Sequence, residues 1–107
     1  MKRVLTFENS GDTIEISLAT EVTINLEENR TTGYQWTIEN SGEKVISIVD
    51  EEHITPENSK IGQGGIYVLR FRADQAGEDR LILKYWQSWE GESSVEKRFI
   101  INLIVSE

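Results

Sequence analysis

Apolar residues recur at every second position along most of the chain, and that spacing constrains the fold before any motif is considered. Ile14, Ile16 and Leu18 alternate with Thr13, Glu15 and Ser17; Val22, Ile24 and Leu26 repeat the pattern, and Tyr34, Trp36 and Ile38 follow. Further sets run from Val45 to Val49, through Tyr67, Leu69 and Phe71, through Leu81, Leu83 and Tyr85, and through Phe99, Ile101, Leu103 and Val105. Successive side chains of a strand point to opposite faces, so each such segment buries one face and wets the other. A helix needs apolar residues three and four apart, and no segment carries that stripe. Val4 to Phe7 adds a short edge strand. About seven or eight short strands separated by turn signals predict an all-β fold, an antiparallel β-sandwich with Trp36 between the sheets.

Composition narrows the class. A chain of 107 residues fits one domain, residues 1–107, with core enough to fold without metals or disulfides. It has no cysteine, which excludes a thiol nucleophile and any thiolate metal site. A net charge of −8 repels phosphate backbones and anionic lipid, so neither nucleic acid nor a membrane is an expected partner. The opening M-K-R-V-L-T-F-E-N-S has basic residues but no apolar stretch after them. As written it is no signal peptide and the chain reads as cytoplasmic; a removed leader would make it secreted or periplasmic. His53 is the sole histidine, too few for a zinc site, and Asp50, Glu51 and Glu52 lack the spacing of a calcium loop. They read as a solvated acidic strand end, so no metal and no cofactor is expected, and the chain is expected to be a monomer.

The connections carry the functional signal. Consecutive connections in an up-and-down sandwich fall at alternate ends. Residues 40–44 and 74–79 read as short polar turns at one end. The connections over 27–33, about 53–65 and about 87–94 are longer and odder in composition, and all three belong at the other end. Loops gathered on a rigid scaffold are how sandwiches bind partners.

Those three connections resemble the inhibitory loops of the chagasin family, protein inhibitors of papain-like cysteine proteases. Asn29-Arg30-Thr31-Thr32-Gly33-Tyr34 is similar to that family's N-P-T-T-G-[YF] loop. Gly62-Gln63-Gly64-Gly65 matches its G-x-G-G loop, and Tyr85-Trp86-Gln87-Ser88-Trp89-Glu90 stands where the family has R-P-W after a tyrosine strand. Each motif alone is weak; the three in order, spanning nearly the whole chain, are specific. The resemblance implies an immunoglobulin-like sandwich that is not an enzyme and that inhibits its protease partner reversibly and tightly. Loop 1, above all Thr31, Thr32 and Gly33, would occupy the catalytic centre. Gly64 and Gly65 of loop 2, and Trp89 of loop 3 (Gln87, Ser88, Trp89 and Glu90), would grip the cleft on either side.

Two departures from the family pattern bear on affinity. Arg30 stands where the family has proline, and Gln87-Ser88 replace Arg-Pro. Proline fixes φ, so losing both predicts looser loops, and Gln87 lacks a guanidinium fork. Thr31 and Thr32 would offer hydroxyls to the partner, and Gly33 a turn with positive φ. Trp86 and Trp89, three apart, would face opposite ways, with Trp89 exposed. The alternative is a generic immunoglobulin-like adhesion or ligand-binding module without protease inhibition. A small hydrolase would need paired carboxylates across a cleft, and no spacing points to such a pair.

Overall fold

In the computed structural model, which describes residues 2–55 and 64–107, every alternating segment forms a strand. The strands are β1 (Lys2–Leu5), β2 (Thr13–Ser17), β3 (Glu21–Glu28), β4 (Gln35–Ser41), β5 (Ile46–Ile54), β6 (Gly65–Ala73), β7 (Gly77–Trp86) and β8 (Lys97–Ser106). Among the described residues the only helical pieces are short 3-10 turns at Phe7–Asn9, Arg30–Thr32 and Gly91–Ser94. Leu18 falls just past β2 and is exposed, and Phe7 lies in a 3-10 turn rather than in the edge strand.

Two four-stranded sheets face each other, in the orders β1-β3-β6-β5 and β2-β8-β7-β4. The inward residues of β3, β6, β7 and β8 build the core: Val22, Ile24, Leu69, Phe71, Leu81, Leu83, Phe99 and Ile101 are fully buried. Trp36 is 2% exposed and packs with Tyr85, ring centroids 5.0 Å apart.

The sequence predicts an antiparallel sandwich, but the two sheets are mixed. β1 pairs with β3 and β2 with β8 in parallel, while the other pairs are antiparallel. The cause is the turn at Phe7–Asn9, which passes the chain from one sheet to the other. β1 and β2 therefore cannot form a hairpin, and each adds to the edge of a different sheet. Alternation within a strand says nothing of the direction of its neighbour.

A bulge in β5 changes which of its side chains face inward. The β5–β6 register shifts between Ile48 and Asp50. An extra residue at that point re-phases the strand. Ile46 and Ile48 face the core before it; Glu51 and His53, opposite Leu69 and Tyr67, take the inward register after it. Asp50 and Glu52 turn outward to Arg70, whose Nη1 lies 2.8 Å and 3.1 Å from their carboxylates.

Trp36 joins the loop-bearing end to the core. Replacing Trp36 by Ala should cost about 3–5 kcal/mol of unfolding free energy by denaturant titration, with an unchanged denaturant slope if only packing is lost.

Candidate functional site

The strand ends that carry the three nominated connections lie at the same end, as parity required. Loop 1 follows β3, loop 2 joins β5 to β6, and loop 3 follows β7. Gly65 pairs with Glu28 across β3 and β6, so the stem of loop 2 abuts that of loop 1. Gly62 and Gln63 lie outside the described residues.

Loop 1 is a braced turn. The Asn29 side chain caps the 3-10 turn of Arg30–Thr32, accepting from the Thr31 N–H at 3.2 Å and the Thr31 hydroxyl at 2.5 Å. The Thr32 hydroxyl donates to the Asn29 carbonyl at 2.7 Å. Both hydroxyls are thus engaged as donors within the loop and hold its shape, where the sequence had suggested they were offered outward. Asn, with a short side-chain acceptor, is suited to such capping. Gly33 ends the turn at φ +83°, a left-handed conformation in which a side chain is strained. Arg30 is exposed and reaches Gln35 at the start of β4 at 3.4 Å. Tyr34 packs on Tyr85, centroids 5.3 Å apart, and the Tyr85 hydroxyl accepts the Asn29 N–H at 2.9 Å. Burial pushes the Tyr85 phenol above its ordinary pKa, so it stays a neutral hydroxyl.

Loop 3 leans on loop 1. The Trp89 ring, 67% exposed, lies against Gly33: a Cβ there would come within 2.0 Å of the Trp89 Cη2. Gln87 Nε2 donates to the Thr32 carbonyl at 3.0 Å. The residue that departs from the family pattern is therefore the one that ties the two loops. Ser88 and Glu90 are exposed. Behind them the Glu90 and Gly91 N–H groups donate to the Gln87 carbonyl, and the Ser94 hydroxyl meets Gln87 and Gly91. The expected loosening from lost prolines is opposed by these bonds. β7 ends at Trp86, so strand alternation does not reach Trp89, which lies in the turn; the Trp86 ring is half-buried under Lys84 Nζ, 3.7 Å from the centroid.

Glu92 fastens the far side of loop 3, accepting from Lys84 at 3.1 Å and from Arg98. Lys84, then Arg98, holds its carboxyl below the usual carboxylate range. A depressed carboxyl stabilises above its unfolded pKa, about 4.3 for glutamate, and loses that contribution as pH falls through the folded value. The brace therefore persists at mildly acidic pH.

Loop 2 divides into unlike glycines. A Cβ on Gly65 would lie 2.2 Å from the Ile54 carbonyl oxygen, whereas one on Gly64 would have its nearest neighbour, the Glu28 carbonyl, at 3.6 Å. Gly65 is required by the strand pairing itself; Gly64 is exposed, with room for a side chain.

Three supporting residues were not singled out as site residues from sequence. Tyr85 was legible as a core position and as the tyrosine before the third motif, but not as a support for loop 1. Glu28 occupies an apolar register yet is charged, and it is 3% exposed. His53 meets it, Nδ1 lying 2.8 Å from Oε1 and 3.0 Å from Oε2. The acidic segment beside His53 is exposed but not merely solvated, since Glu51 accepts from Tyr67 at 2.5 Å. Burial, then that contact with Glu51, drives the Tyr67 phenol well above its ordinary pKa, so it remains the donor. Among the described residues no three metal-ligating side chains converge.

Comparison with known proteins places this arrangement in context. A family model described as chagasin family peptidase inhibitor I42 matches residues 15–103. Chagasin of Trypanosoma cruzi is 27% identical over 107 residues, covering 96% of this chain and 97% of that protein. Amoebiasin-1 of Entamoeba histolytica is 32% identical over 87 residues, covering 79% and 82%. The crystal structure of a cysteine protease inhibitor from Entamoeba histolytica superposes with a TM-score of 0.83 at 20% identity, over 98% of this chain and 96% of that one. That last likeness carries the immunoglobulin-like fold.

The glycine geometry predicts an ordered mutational series. Gly64→Ala should leave the unfolding midpoint unchanged. Gly33→Ala should cost about 1–2 kcal/mol through its positive φ and shift the Trp89 fluorescence by unseating the ring. Gly65→Ala, forced against backbone, should destabilise the most, and thermal unfolding of the three variants checks the order.

Proposed function

The chain belongs to the chagasin family of peptidase inhibitors, and from that premise we propose that it inhibits papain-like cysteine proteases reversibly, as a wedge whose three loops fill the active-site cleft. It is an inhibitor and not an enzyme. The observation that carries the residue-level reading is the docking of loop 3 on loop 1: the exposed Trp89 ring seated on Gly33 and the Gln87 bond to Thr32.

A substrate is cleaved when an extended backbone presents a carbonyl to the nucleophile in line for attack. Loop 1 is instead closed into a 3-10 turn by Asn29, with Gly33 reversing the chain. Its carbonyls are held at a bend, and those of Asn29, Arg30 and Thr32 already accept bonds inside the protein. Such a turn can enter a cleft without offering an extended scissile bond. Trp89 supplies a large apolar surface beside it, of the residue type most enriched among interface hot spots.

Affinity follows from what is already ordered. Inhibition at nanomolar concentration needs about −12 kcal/mol, and the cost of immobilising loops is subtracted from the gross contact energy. Loops cross-braced in the free protein lose less on binding. The net charge of −8 favours proteases with basic cleft rims, because complementary charge raises the association rate.

The test is a titration of papain and of a cathepsin L-type protease. Trp89→Ala should weaken inhibition by at least about 30-fold, the size of a hot-spot truncation, without moving the unfolding midpoint. Gln87→Ala should weaken it less, by about fivefold, the worth of one hydrogen bond. Association should slow as salt rises. A folded protein that inhibits neither enzyme would overturn the proposal and favour the generic binding-module reading.

A further inference from the structure

Glu28 is a charged residue in a register that otherwise alternates Val22, Ile24 and Leu26 into the core. A carboxylate that deep is strongly disfavoured unless it is paired and hydrogen-bonded. Here it is both. Oε2 accepts the Trp36 backbone N–H at 2.8 Å, and the two oxygens face His53 Nδ1 at 2.8 Å and 3.0 Å. Facing a carboxylate, that ring nitrogen is the donor in either protonation state of the imidazole.

The three residues occupy telling places. Glu28 is the last residue of β3 and Trp36 the second of β4, so the carboxylate bridges the two stems of loop 1. His53 is the penultimate residue of β5, on the stem that enters loop 2. No backbone ladder joins these strands: β6 lies between β3 and β5, and β4 belongs to the other sheet. His53 is itself seated against Tyr67, ring centroids 5.0 Å apart.

The contact needs two irregularities at once, a charge in an apolar register and the bulge that turns His53 inward. Packing alone requires neither, since a buried ion pair is commonly replaceable by apolar side chains at little cost in stability. What such a pair supplies and apolar contact does not is direction, through bonds of fixed length and angle. We propose that Glu28 and His53 form a carboxylate–imidazole clamp that sets the spacing of the stems of loops 1 and 2, making them positioning residues for protease inhibition that do not themselves reach the protease. The role rests on the inhibitory reading above.

Five proteins test it: wild type, Glu28→Gln, His53→Leu, the Glu28→Gln/His53→Leu double variant and His53→Asn. Glutamine keeps an acceptor for the Trp36 N–H, and asparagine keeps a donor near the place of Nδ1. Each is titrated against papain well below its unfolding midpoint, and backbone amide shifts are recorded by NMR. Glu28→Gln and His53→Leu should each weaken inhibition about tenfold, and the double variant should be no worse than either, as for coupled partners. His53→Asn should restore inhibition to within about threefold of wild type, the remaining deficit of one weakened hydrogen bond. Amides of Thr31 to Gly33 and of Gly64 should shift together in Glu28→Gln, while that of Gly42, in the turn after β4, stays put. An inhibition constant unmoved in folded variants, or a loss that only follows the unfolding midpoint, overturns the clamp. If wild type inhibits neither papain nor the cathepsin L-type protease, the inhibitory reading fails and the clamp's role with it.

Discussion

Two facing sheets share no backbone hydrogen bonds, so the position of anything mounted at their ends depends on side chains that cross the gap. In this chain no disulfide can do so. At the loop-bearing end the crossing is made by Tyr85, whose hydroxyl accepts the Asn29 N–H, and by Trp36, whose backbone and indole N–H groups donate to Glu28 and to the Glu27 carbonyl. Each bond contributes about 1 kcal/mol net, more where a charge is involved. Their larger effect is geometric, because every residue of loop 1 lies between these anchors.

The loops themselves show how an inhibitor can do without the rigidity that proline confers. A proline in a compatible loop stabilises by about 0.4–1 kcal/mol, mainly through the unfolded state. One well-made hydrogen bond is of the same order. Arg30 and Gln87-Ser88 forgo two prolines, but Asn29 caps the first loop, Ser94 ties the third, and Gln87 joins them. The Gln87 bond also joins the two loops, which two independent prolines would not arrange. Trp89 and Gly33 add a second contact between the loops, since the ring occupies the space that any larger residue at 33 would need.

Much of this was legible beforehand. Period two along Val22–Leu26, Tyr67–Phe71 and Phe99–Val105 is a direct imprint of one buried face, and the structure has those residues inside. The parity of connections brought loops 1, 2 and 3 to one end because strands of a sandwich must run back and forth. The exposure of Trp89 followed from its place in a loop rather than from its spacing to Trp86. Other features were hidden. Nothing in Val4 or Ile14 states that their strands pair in parallel with β3 and β8, since pairing partners lie far along the chain. The β5 bulge shifts the phase of Asp50 to His53 without altering composition, so strict alternation would have turned His53 away from Glu28.

The division has a physical basis. Burial pattern, turn chemistry and the need for glycine at a positive φ are properties of residues and their near neighbours, and the sequence by itself determined the strands, the end that carries the loops and the family to which they belong. Direction and distance between remote groups arise only when the sheets close. That closure decided that the threonine hydroxyls brace their own loop, that Gln87 ties loop 3 to loop 1 by a bond to Thr32, and that a buried glutamate meets the single histidine between two loops.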